Sequence, residues 1–308
     1  MLTFVALSGA VQMGLILSLL ALGIFIAYRI LGVPDLTVEG SYAMGASVSA
    51  ILTVAGQPFL GLVLSIVAGV AAGLCTAFLQ TKMRVQPILA GILVMMAAFS
   101  VNSHIMGRRP NIPLLREDTL FTLLGDRLDN IQAARFVIPI AVVVIVSVGL
   151  GIFFYTRLGL AVRATGDNEE MCRASSINTT KTKMMGLALG NAIAALSGGL
   201  IAQYQGFADL HMGRGMVLTA LASLIIGEAI FGRRMILWNI GAVIAGAVIY
   251  RIIIAWALST RINQTNLQII TAVFVAVAVS FPAIKEHFML FKLKRAAKLK
   301  RQEAQRDA

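Results

Sequence analysis

Residues 156–183, TRLGLAVRATGDNEEMCRASSINTTKTK, are a long polar island between two uncharged runs of membrane-spanning length. The island carries both charge signs, and its composition suits a short amphipathic helix better than a slack linker. A connection that merely reverses the chain is usually far shorter than these 28 residues. The island is therefore predicted to be structured and to offer a docking surface to a soluble partner.

The rest of the chain sets the environment. With 58% hydrophobic and 13% charged residues and a mean hydropathy of +0.85, 308 residues hold too little polar surface to cover a water-soluble globule. Residues 1–28, 40–81, 85–107, 136–156, 184–208, 235–250 and 262–284 contain no Asp, Glu, Lys or Arg. A helix crosses the hydrocarbon core with about 20 apolar residues, and the 40–81 window holds two such passes separated by Gly56-Gln57-Pro58. The reading is an all-α, polytopic membrane bundle with about nine spans near 8–30, 41–55, 59–80, 87–107, 135–155, 184–205, 214–231, 235–258 and 267–284. No Lys or Arg precedes the first apolar run and no small-residue cleavage site follows it, so that run is expected to stay as a span. Cys75 falls in a span and Cys172 in the island, which predicts two reduced thiols.

Basic residues predict the orientation. Placing the island in the cytoplasm puts all eight Lys inside, together with ten of the Arg, so 18 of the 26 basic residues lie on that side. The N-terminus is then outside and the C-terminus cytoplasmic, in the plasma (inner) membrane. Residues 1–290 form the membrane domain, and the basic tail 291–308 rests against anionic headgroups. The net charge of +12 is spread over several loops and gives no nucleic-acid-binding motif.

Polar residues at membrane depth are few. Between the first two spans, Pro34, Asp35, Thr37, Glu39 and Gly40 break the apolar pattern. Proline stops one helix, Asp35 or Thr37 caps the next, and Gly40 permits close packing. This segment is either a kinked re-entry in a protein-lined cavity or a plain turn. A second cluster, Gln203, Tyr204, Gln205 and Asp209 with His211, lies at the far end of the sixth span. With Asn102, His104 and the deeper Asn191 it can line a path for a polar solute, or each residue can make an interhelical hydrogen bond. Glu228 is expected to pair with Arg233 and Arg234. Small residues recur every fourth position at Gly61, Ser65, Gly69, Gly73 and Ala77, and at Gly186, Gly190, Ala194, Gly198 and Ala202. Such stripes let helix backbones approach closely.

No catalytic set is legible, and the reading is not an enzyme. Gly227-Glu228-Ala229-Ile230-Phe231-Gly232 has phosphate-loop glycine spacing, but Arg233-Arg234 stands where Lys-Ser/Thr is needed, so its glycines read as helix-end punctuation. Three His and two distant Cys make no metal set. Any energy source must be another subunit.

Three blocks resemble one family. PDLTVEGSYAMGA (34–46), TRLGLAVRATGDNEEMCRASSIN (156–178) and GRGMVLTALASLIIGEAIFG (213–232) are similar to segments of permeases from ATP-binding-cassette importers of the ribose-type and branched-chain amino acid-type superfamily. VPDLTVEGS and AQYQGFAD look more like a subgroup that pairs with a substrate-binding lipoprotein and whose suggested substrates are amino acids, particularly aromatic ones. The chain lacks the extra N-terminal span of the sugar permeases, and it carries Ser175-Ser176 and Gly227-Glu228 where the family has Ser-Gly and Gly-Gly. The resemblance implies a homodimeric or pseudo-dimeric translocation path for a small polar solute, an extracytoplasmic binding protein and cytoplasmic ATPase subunits. Those subunits bind the ATP, and the chain itself needs no cofactor. It also implies a coupling helix gripped by the ATPase, formed by Gly166, Asp167, Asn168, Glu169, Glu170, Arg173, Ala174 and Ser175. The acids suit the start of that helix and Arg173 its end. The alternative, a transporter driven by an ion gradient, predicts ionisable residues near the midplane of several spans, where this chain has almost none.

Overall fold

The computed structural model describes residues 4–259. The first helix, α1 (Phe4–Ile24), widens at its end into a π-helical turn, Phe25–Ile30. After a non-helical segment come α2 (Thr37–Val54), α3 (Pro58–Thr81) and α4 (Pro87–Ile105). Prolines open α3 and α4, where the missing N–H is no loss and the fixed φ suits the first turn. A short strand β1 (Asn111–Pro113) and a small helix α5 (Leu120–Arg127) lead to α6 (Ile131–Tyr155).

The polar island forms two helices, α7 (Arg157–Asp167) and α8 (Glu169–Ala174). Its small polar residues are the reason. Thr156 caps α7 through Gly159 N, Asn168 caps α8 through Met171 N, and Asn178 caps the next helix through Lys181 N. The expected single helix over 166–175 is thus broken at Asn168. Asp167 ends α7 instead of starting a coupling helix, whereas Glu169 and Glu170 do open α8 and Arg173 lies in its last turn.

The chain continues as α9 (Thr179–Gln205), β2 (Phe207–Asp209), α10 (Met216–Phe231) and α11 (Ile236–Ser259). The two strands pair antiparallel, with Asn111 opposite Asp209 and Pro113 opposite Phe207. This small ladder is an addition to the expected all-α architecture.

Among the described residues, six helices are long and apolar enough to cross a membrane: Val5–Ile30, Pro58–Thr81, Pro87–Ile105, Ile131–Tyr155, Thr179–Gln205 and Ile236–Ser259. The 18-residue α2 and 16-residue α10 fall on the predicted spans 41–55 and 214–231 but are shorter or more polar. The predicted span 267–284 and the basic tail lie outside the described residues.

α9 is the axis, packed against α1, α2 and α3. Both small-residue stripes serve this packing. Gly45 of α2 and Gly198 of α9 each lie so close to the other helix's carbonyls, those of Ala195 and Tyr42, that a Cβ has no room. Gly69 and Gly73 place α3 equally close to Asn191 and Leu187. Gly227 does the same for α10 against Ala242 of α11. It is therefore a packing residue and not helix-end punctuation, a role that Gly232 fills with φ +70°.

Candidate functional site

Residues 31–36, between the π-turn and α2, do not form a surface turn. Asp35 is 7% exposed and Thr37 fully buried, although Pro34 is exposed. Asp35 Oδ1 accepts Thr37 N at 2.9 Å, satisfying the first free N–H of α2 although Leu36 is the residue at its N-cap, while Asp35 Oδ2 accepts Asn191 Nδ2 at 2.7 Å. Asn191 Nδ2 also donates to the Leu187 carbonyl, and Asn191 Oδ1 accepts from Ser41 Oγ at 2.7 Å. Thr37 Oγ1 meets Thr76 Oγ1 of α3 at 2.6 Å. Asn191 lies near the middle of the 27-residue α9, so at about 1.5 Å per residue this polar knot is roughly 20 Å from each end of that helix. Irregular backbone at such depth is tolerated where protein surrounds it.

α10 also begins deep. Gly213, just before it, lies so close to the Glu39 carbonyl that a Cβ has no room, and Glu39 Oε1 accepts Val217 N at 3.4 Å in the first turn of α10. The helix then runs to the end of the bundle that carries Arg29, where Glu228 meets Arg29 Nε at 2.9 Å and Arg233 at 2.7 Å. Arg233 is the partner expected for Glu228. Arg234 is not, since it lies over the Trp238 ring, and Arg29 takes the second place.

Where the two late-starting helices meet, a cavity of about 500 Å³ opens between α2, α4 and residues 210–214. α2 contributes Glu39, Gly40 and Ala43. α4 contributes Met95, Met96, Phe99, Ser100 and Asn102, and the loop adds Leu210, His211, Gly213 and Arg214. The lining is largely apolar, with an acid, a base and an amide set into it. The Phe99 and His211 rings stack, centroids 5.2 Å apart and planes 19° from parallel. Asn102 is 1% exposed, yet neither of its amide atoms has a hydrogen-bond partner among the described residues. A buried amide left unmade costs stability.

Of the eight residues expected along a solute path, Asn102 and His211 line this cavity, joined by Glu39 and Gly40 of the helix-break motif. Asn191 is committed to the polar knot. Gln203 is 2% exposed and spent on three bonds: its Nε2 donates to Ser49 Oγ and to the Pro58 carbonyl, and its Oε1 accepts Leu120 N. Tyr204 donates to Gln12 Oε1 at 2.7 Å beneath the Arg135 guanidinium. Asp209 caps the turn at His211 N, and the exposed His104 ring nitrogen lies 2.9 Å from the Ser100 carbonyl. Gln205 is half-buried at the end of α9. The residues missed include Met95, Met96, Phe99, Ser100 and Arg214. Met95, Phe99 and Asn102 share one face of α4 at i, i+4 and i+7, a spacing visible in sequence but indistinguishable there from ordinary packing.

The polar island forms a second surface at the end of the bundle that carries Lys82 and Lys183. Asp167, Asn168, Glu170, Met171, Arg173, Ala174 and Ser175 are exposed. Beneath them, Glu169 binds Lys183 Nζ at 2.6 Å and Arg173 at 2.7 Å, and Thr165 meets Thr182 at 2.8 Å, fixing α8 and α7 to α9. Partial burial raises the pKa of the Glu169 carboxyl, but Lys183 and then Arg173 outweigh this and hold it below its ordinary value. Gly166 is not on this face. It lies against the Ile30 carbonyl with no room for a Cβ, joining α7 to the π-turn.

Comparison with known proteins gives these features a context. Residues 6–279 match the family model of the permease component of branched-chain amino acid transport systems. A tyrosine transport system permease protein of Clostridioides difficile is 38% identical over 262 residues, 85% of this chain and 86% of that protein. An uncharacterized protein of Rickettsia prowazekii is 36% identical over 275 residues, 88% and 95% of the two chains. A probable branched-chain amino acid transport permease protein of Methanocaldococcus jannaschii is 28% identical over 255 residues, 79% and 78% of the two chains. No solved structure matches.

Proposed function

The chain belongs to the permease family of branched-chain amino acid transport systems and is a membrane subunit of an ATP-binding-cassette importer; from this we propose that it carries an amino acid with an aromatic side chain across the membrane. The family is one of transport permeases, not of enzymes. The similarity to a tyrosine transport permease supports the substrate class. The cavity supports it further, because an acid, a base and stacked rings suit a zwitterion with an apolar body.

The observation that carries the mechanism is the α7–α8 surface. Exposed on one side and tied on the other by Glu169, Thr165 and Gly166 to α9 and the π-turn, it is built to receive a load and pass it inward. In this reading a cytoplasmic ATPase grips Asn168, Glu170, Met171, Arg173, Ala174 and Ser175, and ATP binding in that partner favours one of two packings of the bundle. The α7–α8 end then faces the cytoplasm, with the N-terminus and the β1–β2 ladder outside. A binding protein delivers the solute to the ladder side, and two copies of the permease enclose the path.

The test is uptake of labelled L-tyrosine by proteoliposomes holding the permease with its ATPase and binding protein. Accumulation that requires ATP and is competed by aromatic amino acids but not by ribose is expected. Uptake of a sugar in preference to any amino acid would overturn the substrate reading, and uptake that follows an ion gradient without ATP would overturn the mechanism.

A further inference from the structure

We propose that the cavity between α2, α4 and residues 210–214 is a tyrosine-selective subsite in which Asn102 reads the para-hydroxyl group. This rests on the amino acid reading above and adds to it the residues that discriminate. Three observations meet here. First, Glu39 and Arg214 both line the cavity, Gly213 beside Arg214 abuts the Glu39 backbone, and neither side chain has an ion-pair partner among the described residues, the Glu39 carboxylate accepting only backbone N–H at the start of α10. An acid and a base that line one cavity without forming a salt bridge to each other complement the ammonium and carboxylate of an α-amino acid. Second, the Phe99–His211 stack and the Met96 thioether offer an aromatic ring flat and sulfur contacts.

Third, Asn102 lies one helical turn beyond Ala98, and Ala98 is the residue that packs on Gly40 beside Glu39. One turn advances about 6 Å along α4, comparable to the length of a side chain carrying a ring and a para-hydroxyl. The Asn102 amide both donates and accepts, as a phenol requires, and it is buried with both atoms unused. A site that holds a buried polar group open for a substrate hydroxyl rejects the analogue lacking it, since the group then stays unpaired.

The experiment measures competing uptake of tyrosine, phenylalanine and leucine by proteoliposomes of the complete transporter, with parent and variant permeases sharing one binding protein and co-purification confirming assembly. Asn102→Leu replaces an unpartnered buried amide with an apolar side chain and should fold at least as stably as the parent. It is expected to lower the tyrosine-to-phenylalanine uptake ratio by about tenfold. Phe99→Ala is expected to lower uptake of both aromatic solutes relative to leucine, and Arg214→Gln to weaken all three. If the parent carries tyrosine and the Asn102→Leu ratio is unchanged, the subsite is refuted while the transport function stands. If the parent carries no amino acid, the functional reading itself fails.

Discussion

Replacing Asn191 by leucine would test whether the deep polar segment is a structural knot. In the folded chain the Asn191 amide donates to Asp35 Oδ2 at 2.7 Å and to the Leu187 carbonyl at 2.9 Å, and accepts from Ser41 Oγ at 2.7 Å. Leucine is of similar size, so little cavity forms. The cost comes from the partners left behind: the buried Asp35 carboxyl keeps only its bond to Thr37, and the Ser41 hydroxyl loses its acceptor. At about 1–3 kcal/mol for each buried group left unsatisfied, the two orphans cost about 4 kcal/mol together. With about 2 °C of melting temperature per kcal/mol for a chain of this size, the variant should melt about 8 °C lower. Ser41→Ala leaves only Asn191 Oδ1 short of a partner, and its shift should be about half of that. The assay is thermal unfolding of purified protein in detergent, followed by loss of the monodisperse chromatographic peak. If Asn191→Leu melted within 1–2 °C of the parent, at less than about 1 kcal/mol, the knot would not hold the helices and Asn191 would return to the solute path.

Glu170→Arg and Ala174→Trp change exposed positions on α8 and should alter stability by within about 0.5 kcal/mol, while weakening ATPase co-purification and abolishing transport; normal transport with the ATPase bound would leave α7–α8 a mere connector. Cysteines introduced at Asn111 and Asn168 should react with an impermeant reagent from opposite sides of the membrane, Asn111 from outside, and labelling from one side would mean a miscounted span. Glu169 has a lowered pKa in the folded chain, so its contribution is present above the ordinary carboxylate range and is lost as pH falls through the lowered value. The protection of the α8 amides, their exchange relative to the unstructured rate at the same pH, should therefore fall on acidification below the ordinary carboxylate range, whereas Glu169→Gln should be less protected at neutral pH and show no such step.

Helix positions were legible where charge and proline bound an apolar run. The predicted 59–80 and 87–107 correspond to Pro58–Thr81 and Pro87–Ile105, because a first-turn proline and the next charged residue mark both ends. Where a boundary depends on tertiary contact the sequence was mute. Leu120 N, at the start of α5, is satisfied by a glutamine 83 positions away, and the β1–β2 ladder joins segments nearly a hundred residues apart. Residue type flagged Asn102 and Asn191 equally, and both are buried. The Asn191 amide makes three hydrogen bonds and the Asn102 amide none among the described residues, a difference set by the surroundings and not by the residue.

The same holds for the route between the two surfaces. Composition picked out the polar island and the 34–40 break separately, but nothing in either stretch says that they are linked. The link is the chain itself: Gly166 brings α7 against the Ile30 carbonyl, and from Ile30 the chain runs straight into residues 31–36, the Asp35–Asn191 knot and Glu39 at the cavity wall. Eight residues thus separate a contact of the proposed docking helices, at Ile30, from the lining of the proposed subsite, at Glu39. Spatial contiguity alone does not establish coupling. Here, however, the segment is held at a few definable points, so an ATPase that shifts α7 must either carry the π-turn and the knot with it or break the Gly166 contact. Gly166→Ala, which has no room for its methyl group, forces the second outcome. It should leave ATPase binding to α8 intact while uncoupling ATP hydrolysis from uptake, and coupled transport in that variant would show that the load travels by another path.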